Sequence, residues 1–79
     1  MRCATCDSGV RVDVRRAKMS ERNDHAAVVL GVPMQECPVC GERFLSDEVA
    51  EALLRIMDEL LRRPEEVASI HWDDAISAA

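Results

Sequence analysis

Two Cys-x-x-Cys pairs, Cys3/Cys6 and Cys37/Cys40, constrain this chain more than any other feature. A Cys-x-x-Cys knuckle points two thiolates at one metal ion, and two knuckles complete a tetrahedral shell of four sulfurs. A closed shell leaves no coordination position for a substrate. The spacing therefore predicts one structural Zn2+ held by Cys3, Cys6, Cys37 and Cys40, in a protein that is not an enzyme and whose function lies on the surrounding surface. The same four ligands would hold iron in a rubredoxin-like site, so the spacing alone leaves the metal's identity open.

The chain needs such a staple. Its 79 residues make one domain, with one Phe, one Trp and no Tyr, and a core so short of large side chains is marginal below roughly 70–80 residues. Disulfides would be the competing use of the cysteines. No apolar leader opens the sequence, and no segment approaches the ~20 apolar residues of a membrane span. The expectation is a cytoplasmic protein with no membrane partner. In that reducing compartment metal binding outcompetes cross-linking.

Charge is unevenly spread. Residues 1–22 carry six basic and three acidic groups, and residues 23–79 carry four basic and twelve acidic groups, for a net of −5. An acidic chain suits a basic protein partner better than a nucleic acid. The basic stretch Arg11, Arg15, Arg16, Lys18 and Arg22 has no interleaved aromatics and no recognition helix, so it reads as a solvated strand face. A nucleic-acid-binding zinc ribbon remains an alternative supported only by that stretch. His25 and His71 have no paired nucleophile and are not needed by the metal.

Val10 to Arg15 alternates apolar and polar residues, the period of a half-buried strand. Residues 17–24 are polar and read as a loop. His25 to Val32 reads as a second strand, ended by Gly31 and Pro33, so an antiparallel hairpin carries the second knuckle back beside the first. Ser46 is a suitable N-cap, with Asp47 and Glu48 in the first turn of a helix running to about Arg63 and stopped by Pro64. The predicted fold is α+β: a small zinc-ribbon-like domain over residues 1–63, with a hairpin between two knuckles and one amphipathic helix, then a tail over 64–79. In that tail, Ala68, Ile70 and Trp72 alternate as in a strand, while Pro64-Glu65-Glu66 suits a helix start. The expectation is a short helix first and an extended, partner-dependent stretch after it.

The helix carries two adjoining apolar stripes, Val49/Leu53/Ile56/Leu60 and Ala50/Leu54/Met57/Leu61, together spanning roughly 160° of its surface. A hairpin is narrow for so wide a face, so one stripe needs another cover: the tail, a second copy, or a different protein. Cys3-x-x-Cys6, the hairpin, Cys37-Pro38-Val39-Cys40-Gly41-Glu42, the Phe44-Leu45 pair and the Ser46-Asp47-Glu48 helix start together resemble the YgiT-type zinc finger, the N-terminal zinc-binding domain of MqsA-type antitoxins. The likeness covers about residues 1–62. It departs from the family in the first knuckle, which lacks the usual Pro and Gly.

That resemblance implies the antitoxin of a bacterial type II toxin–antitoxin module. Such an antitoxin binds and neutralises a cognate toxin, usually a small basic ribonuclease. Full antitoxins of this kind continue into a helix-turn-helix domain that binds the operator. Sixteen residues follow Arg63 here, so operator DNA binding is not expected of this chain. A homodimer and a heterotetramer with the toxin are the assemblies considered. The residues expected to meet the partner are Leu54, Met57 and Leu61 on the second stripe, and Ile70, Trp72, Asp73, Asp74 and Ile76 in the tail.

Overall fold

The computed structural model describes residues 2–4 and 6–77. Its elements in chain order are β1 (Val12–Arg22), β2 (His25–Glu36), β3 (Arg43–Phe44), α1 (Asp47–Leu61), β4 (Val67–His71) and α2 (Trp72–Ser77). The expected α+β fold is present, with its hairpin between the cysteine pairs and a helix after the second. β2 is the centre of the sheet. β1 pairs antiparallel along one side of it, while β3 and β4 share the other, β3 antiparallel and β4 parallel.

The hairpin is longer than the sequence suggests. The stretch 17–24, read as a loop, is strand up to Arg22, and only Asn23 and Asp24 turn, both with positive φ (51° and 64°). That is the two-residue geometry that matches strand twist, and Asn and Asp tolerate it better than most residues. Gly31 and Pro33 do not end β2, which continues to Glu36. Between the Arg16–Val32 and Lys18–Val29 pairs the register slips, so that Leu30 and Gly31 face Ala17 alone. This is a β-bulge, and Gly31 takes its left-handed conformation at φ 69°. The bulge resets the alternation: Ala27 and Val29 are buried before it, Val32 and Met34 after it. Both halves of β2 therefore present their apolar side chains to the same face.

That face meets α1. Ser46 caps the helix, its hydroxyl accepting from the Val49 backbone N–H at 3.2 Å, and the helix ends at Leu61 with Arg62 as C-cap, just ahead of the expected limit. Leu53, Met57 and Leu60 point into the core, with Val49 and Ile56 packed at its margin. The first stripe thus covers the sheet together with Met57. Leu54, on the second stripe, stays 71% exposed.

The order of elements after Pro64 is the reverse of that expected: strand first, helix second. Val67–His71 joins the sheet beside β2, and Ala68 and Trp72 complete the core. The alternation of Ala68, Ile70 and Trp72 was the informative signal, and Glu65 and Glu66 start no helix. Residues 67–72 are thus built into the sheet and core rather than standing off as a tail; Ala78 and Ala79 lie outside the described residues. His71 sits over the bulge, where a Cβ on Gly31 would lie 2.6 Å from its ring. Replacing Gly31 by Ala strains φ and crowds His71, so the expected loss is about 1–3 kcal/mol of unfolding free energy in a denaturant titration, with metal content unchanged. A variant as stable as the parent would contradict this account of the bulge.

Candidate metal centre

The two knuckles are built alike. In each, the residue after the second cysteine donates its backbone N–H to the carbonyl of the first: Asp7 to Cys3 at 3.0 Å, Gly41 to Cys37 at 2.8 Å. Both turning residues have positive φ, 55° for Asp7 and 77° for Gly41. The aspartate therefore closes the first knuckle in the conformation that glycine gives the second. In each, the first cysteine's own N–H also donates, Cys3 to the Gly9 carbonyl at 2.8 Å and Cys37 to that of Glu42 at 2.9 Å.

β1 leaves from the first knuckle and β2 returns to the second, so the hairpin superposes the two turns at its open end. The four sulfurs lie within 4.8 Å of one another. Cys3 and Cys40 are 3.7 Å apart and Cys6 and Cys37 are 3.6 Å apart, each pair crossing from one knuckle to the other. A tetrahedron with metal–sulfur bonds of about 2.3 Å has sulfur–sulfur edges near 3.8 Å. No disulfide joins the four. The donor set thus fits one metal ion, and the four residues are those named from the spacing.

Four thiols this close cannot all ionise without a cation among them. Backbone hydrogen bonds from Ser8 and then Gly9 hold the Cys6 thiol below its ordinary range. The backbone bond from Glu42 pulls Cys40 the same way, but lost hydration and the sulfurs of Cys37, Cys3 and Cys6 outweigh it and push Cys40 up to about 12. A divalent ion would relieve this conflict by holding all four as thiolates.

Sequence reasoning missed two supports of the site. Gly9 passes so close to the sulfurs that a Cβ there would lie 2.5 Å from Cys37 Sγ; the signal was a glycine just ahead of the strand. Glu36, next to Cys37, accepts from Arg43 Nε at 2.9 Å and Arg16 Nη2 at 3.2 Å, fastening β1 and β3 to β2 beside the metal ligands. No local pattern announced it, because its partners are 20 residues before and 7 after it. Those two arginines, Arg43 first, hold its carboxyl below the usual glutamate range.

The residues expected to meet a partner are scattered. Met57 and Trp72 are 7% and 6% exposed, within the core, and so offer no docking surface: the space over the second part of the sheet is filled by the chain's own β4 and α2. Leu61 and Ile70 are partly buried against that core. Leu54 is on the outer helix surface, and Asp73 is bound to Arg15 at 3.0 Å. Asp74 and Ile76 are exposed on α2, Ile76 beside a groove that also touches Ile56 and Ile70, with Arg55, Glu59 and Arg63 at its rim. The basic stretch is largely engaged within the chain. Arg15 pairs with Asp73, Arg16 with Glu36 and Arg22 with Asp58, and Arg11 stacks 3.7 Å from the Phe44 ring centroid.

Among the described residues no helix is long and apolar enough to cross a membrane. No family model, curated protein or solved structure matches the chain.

Two outcomes are expected here. Cys37→Ser should abolish stoichiometric metal binding, measured by elemental analysis of the purified protein, and with it the cooperative thermal transition. Glu36 is depressed, so its contribution to stability is complete at neutral pH and lost as pH falls through and below the ordinary glutamate range. Glu36→Gln should accordingly be less stable than the parent at pH 7 and converge with it in acid. Parallel stability–pH curves would contradict the clamp.

Proposed function

We propose that this chain is a zinc-stapled protein-binding module, the antitoxin of a bacterial type II toxin–antitoxin pair, whose partner is a small basic ribonuclease-like toxin. The observation that carries the reading is the join between metal centre and helix. The Cys37-Pro38-Val39-Cys40-Gly41-Glu42 knuckle closes a tetrahedral sulfur cluster and leads through Phe44-Leu45 into a Ser46-capped helix with an acidic first turn. That is the arrangement whose sequence resembles the YgiT-type zinc finger. Zinc supplies rigidity here and takes no part in chemistry, because all four of its usual positions in a structural site are filled by cysteine.

Net charge of −5 favours encounter with a basic protein. Leu54, Asp74 and Ile76 are the outward members of the expected contact set, and apolar contacts such as Leu54 and Ile76 would slow release once the complex forms. Covering the toxin's basic face would obstruct RNA. The internal pairing of Arg15, Arg16 and Arg22 weighs against a nucleic-acid-binding reading.

The test is coexpression with the product of the neighbouring reading frame. Growth restored by this chain, together with a copurifying complex that holds one zinc per copy, is the expected result. Leu54→Glu with Ile76→Glu should weaken protection while leaving the metal in place. A neighbour that kills cells equally well in the presence of this chain would sink the antitoxin reading. A salt-dependent shift of RNA or DNA by the isolated protein would favour the zinc-ribbon alternative. A red, iron-containing protein would favour the rubredoxin-like one.

A further inference from the structure

The sheet has two faces; among the described residues α1 covers one, and the other carries His71 over Gly31 and the Arg15–Asp73 pair at one end with no element across its middle. With Ala27, Val29, Val32, Met34 and Ala68 turned to α1, alternation turns Val28 and Leu30 on β2, Met19 on β1 and Val67 on β4 to the other side. Met19 pairs directly with Val28, and Val67 stands opposite Ala26 in the parallel register. Met19 is 67%, Val67 65% and Leu30 46% exposed. The uncovered face of such a sheet is ordinarily polar; here its centre is apolar. The protomer is also extended. Its radius of gyration is 14.0 Å, against about 11.6 Å for a compact domain of this length.

We infer that this open face docks on the same face of a second copy of the chain, giving a helix–sheet–sheet–helix dimer. Two observations select a second copy as occupant. The first is charge placement. Along the open side of β1 run Arg15, Ala17, Met19 and Glu21, an apolar centre with opposite charges at its two ends. A two-fold axis through that centre, at Lys18, lays each Arg15 over the Glu21 of the other copy and Ala17 over Met19. Within the protomer Arg15 uses one terminal nitrogen, Nη1, for the Gly31 carbonyl and Asp73. Its other nitrogen is left for the facing carboxylate.

The second observation is area. β1 and β2 run about 36 and 40 Å and the short β4 about 17 Å at a spacing of about 4.8 Å, a plane of about 450 Å² per copy, so a facing pair buries about 900 Å² of plane, and the relief of its side chains brings that to about the 1,000 Å² of a specific interface. Sheets packed face to face sit about 10 Å apart with interdigitated side chains, which Met19, Val28, Leu30 and Val67 supply. Edge-to-edge pairing of β1 in the same register would instead set Lys18 against Lys18, a like-charge contact that disfavours it.

Sedimentation equilibrium of the metal-loaded full chain tests the dimer without any partner protein, so its outcome is separate from that of the antitoxin reading. The expected mass is twice the 8.8 kDa of the protomer across micromolar to near-millimolar concentrations. Met19→Glu and Val67→Glu should each return it to the protomer mass, with Trp72 fluorescence showing the core intact. Glu21→Arg and Arg15→Glu should each weaken the dimer about tenfold or more, and the double reversal should restore it. A wild-type monomer throughout that range would overturn the inference, as would a dimer indifferent to Met19→Glu. A monomer whose open face is instead taken by a basic partner, in a complex sensitive to Met19→Glu, would also overturn it and assign the face to that partner.

Discussion

The rest of the structure depends on the convergence of four cysteine sulfurs at the open end of one long hairpin. Thirty residues separate Cys6 from Cys37, and bringing the ends of such a segment together costs conformational entropy that a long, thin ribbon cannot offset alone. A metal ion at the sulfur cluster would restrict the unfolded chain much as a covalent cross-link does, an effect on the order of 3–4 kcal/mol for a loop of this size. That is a large share of the stability of a small domain. The surrounding features serve the same closure: the left-handed Asp7 and Gly41, the close approach at Gly9, and the Glu36 bridge to Arg16 and Arg43.

Away from the metal end, the core is one layer deep. α1 lies on β2, and β4 and α2 fill the space that the hairpin leaves beside it. The bulge at Gly31 keeps both halves of β2 facing that layer, and the room above the glycine is taken by His71. The chain thus spends its few large apolar residues on one side of the sheet. Among the described residues no element crosses the apolar groups in the middle of the other side.

Much of this was legible in the sequence where spacing is local. The Cys-x-x-Cys pairs named all four ligands, and Ser46 with Asp47, Glu48 and Pro64 bounded α1 to within two residues. What was illegible depended on tertiary pairing. Lys18, Ser20, Glu21 and Arg22 read as loop because β1 is an edge strand and buries little, so hydrophobic alternation fades although the backbone pairing continues to Arg22. Gly31 and Pro33 looked like terminators, since a bulge and an end carry the same residues. Trp72 and Met57 looked free for a partner because the parallel strand that encloses them follows Pro64 and pairs with a segment some forty residues earlier. In the first knuckle Asp7 adopts the left-handed φ that Gly41 adopts in the second.

The central claim is that metal binding and folding are one event in this chain. Its most direct test is thermal unfolding of the purified protein before and after exhaustive chelation, followed by the emission of Trp72, the single tryptophan, which sits in the core. The account expects the metal-loaded protein to unfold cooperatively and the chelated protein to show solvent-exposed tryptophan emission with no transition, reversed by restoring one equivalent of metal. A chelated protein with every thiol titratable that keeps a buried Trp72 and an unchanged midpoint would contradict it.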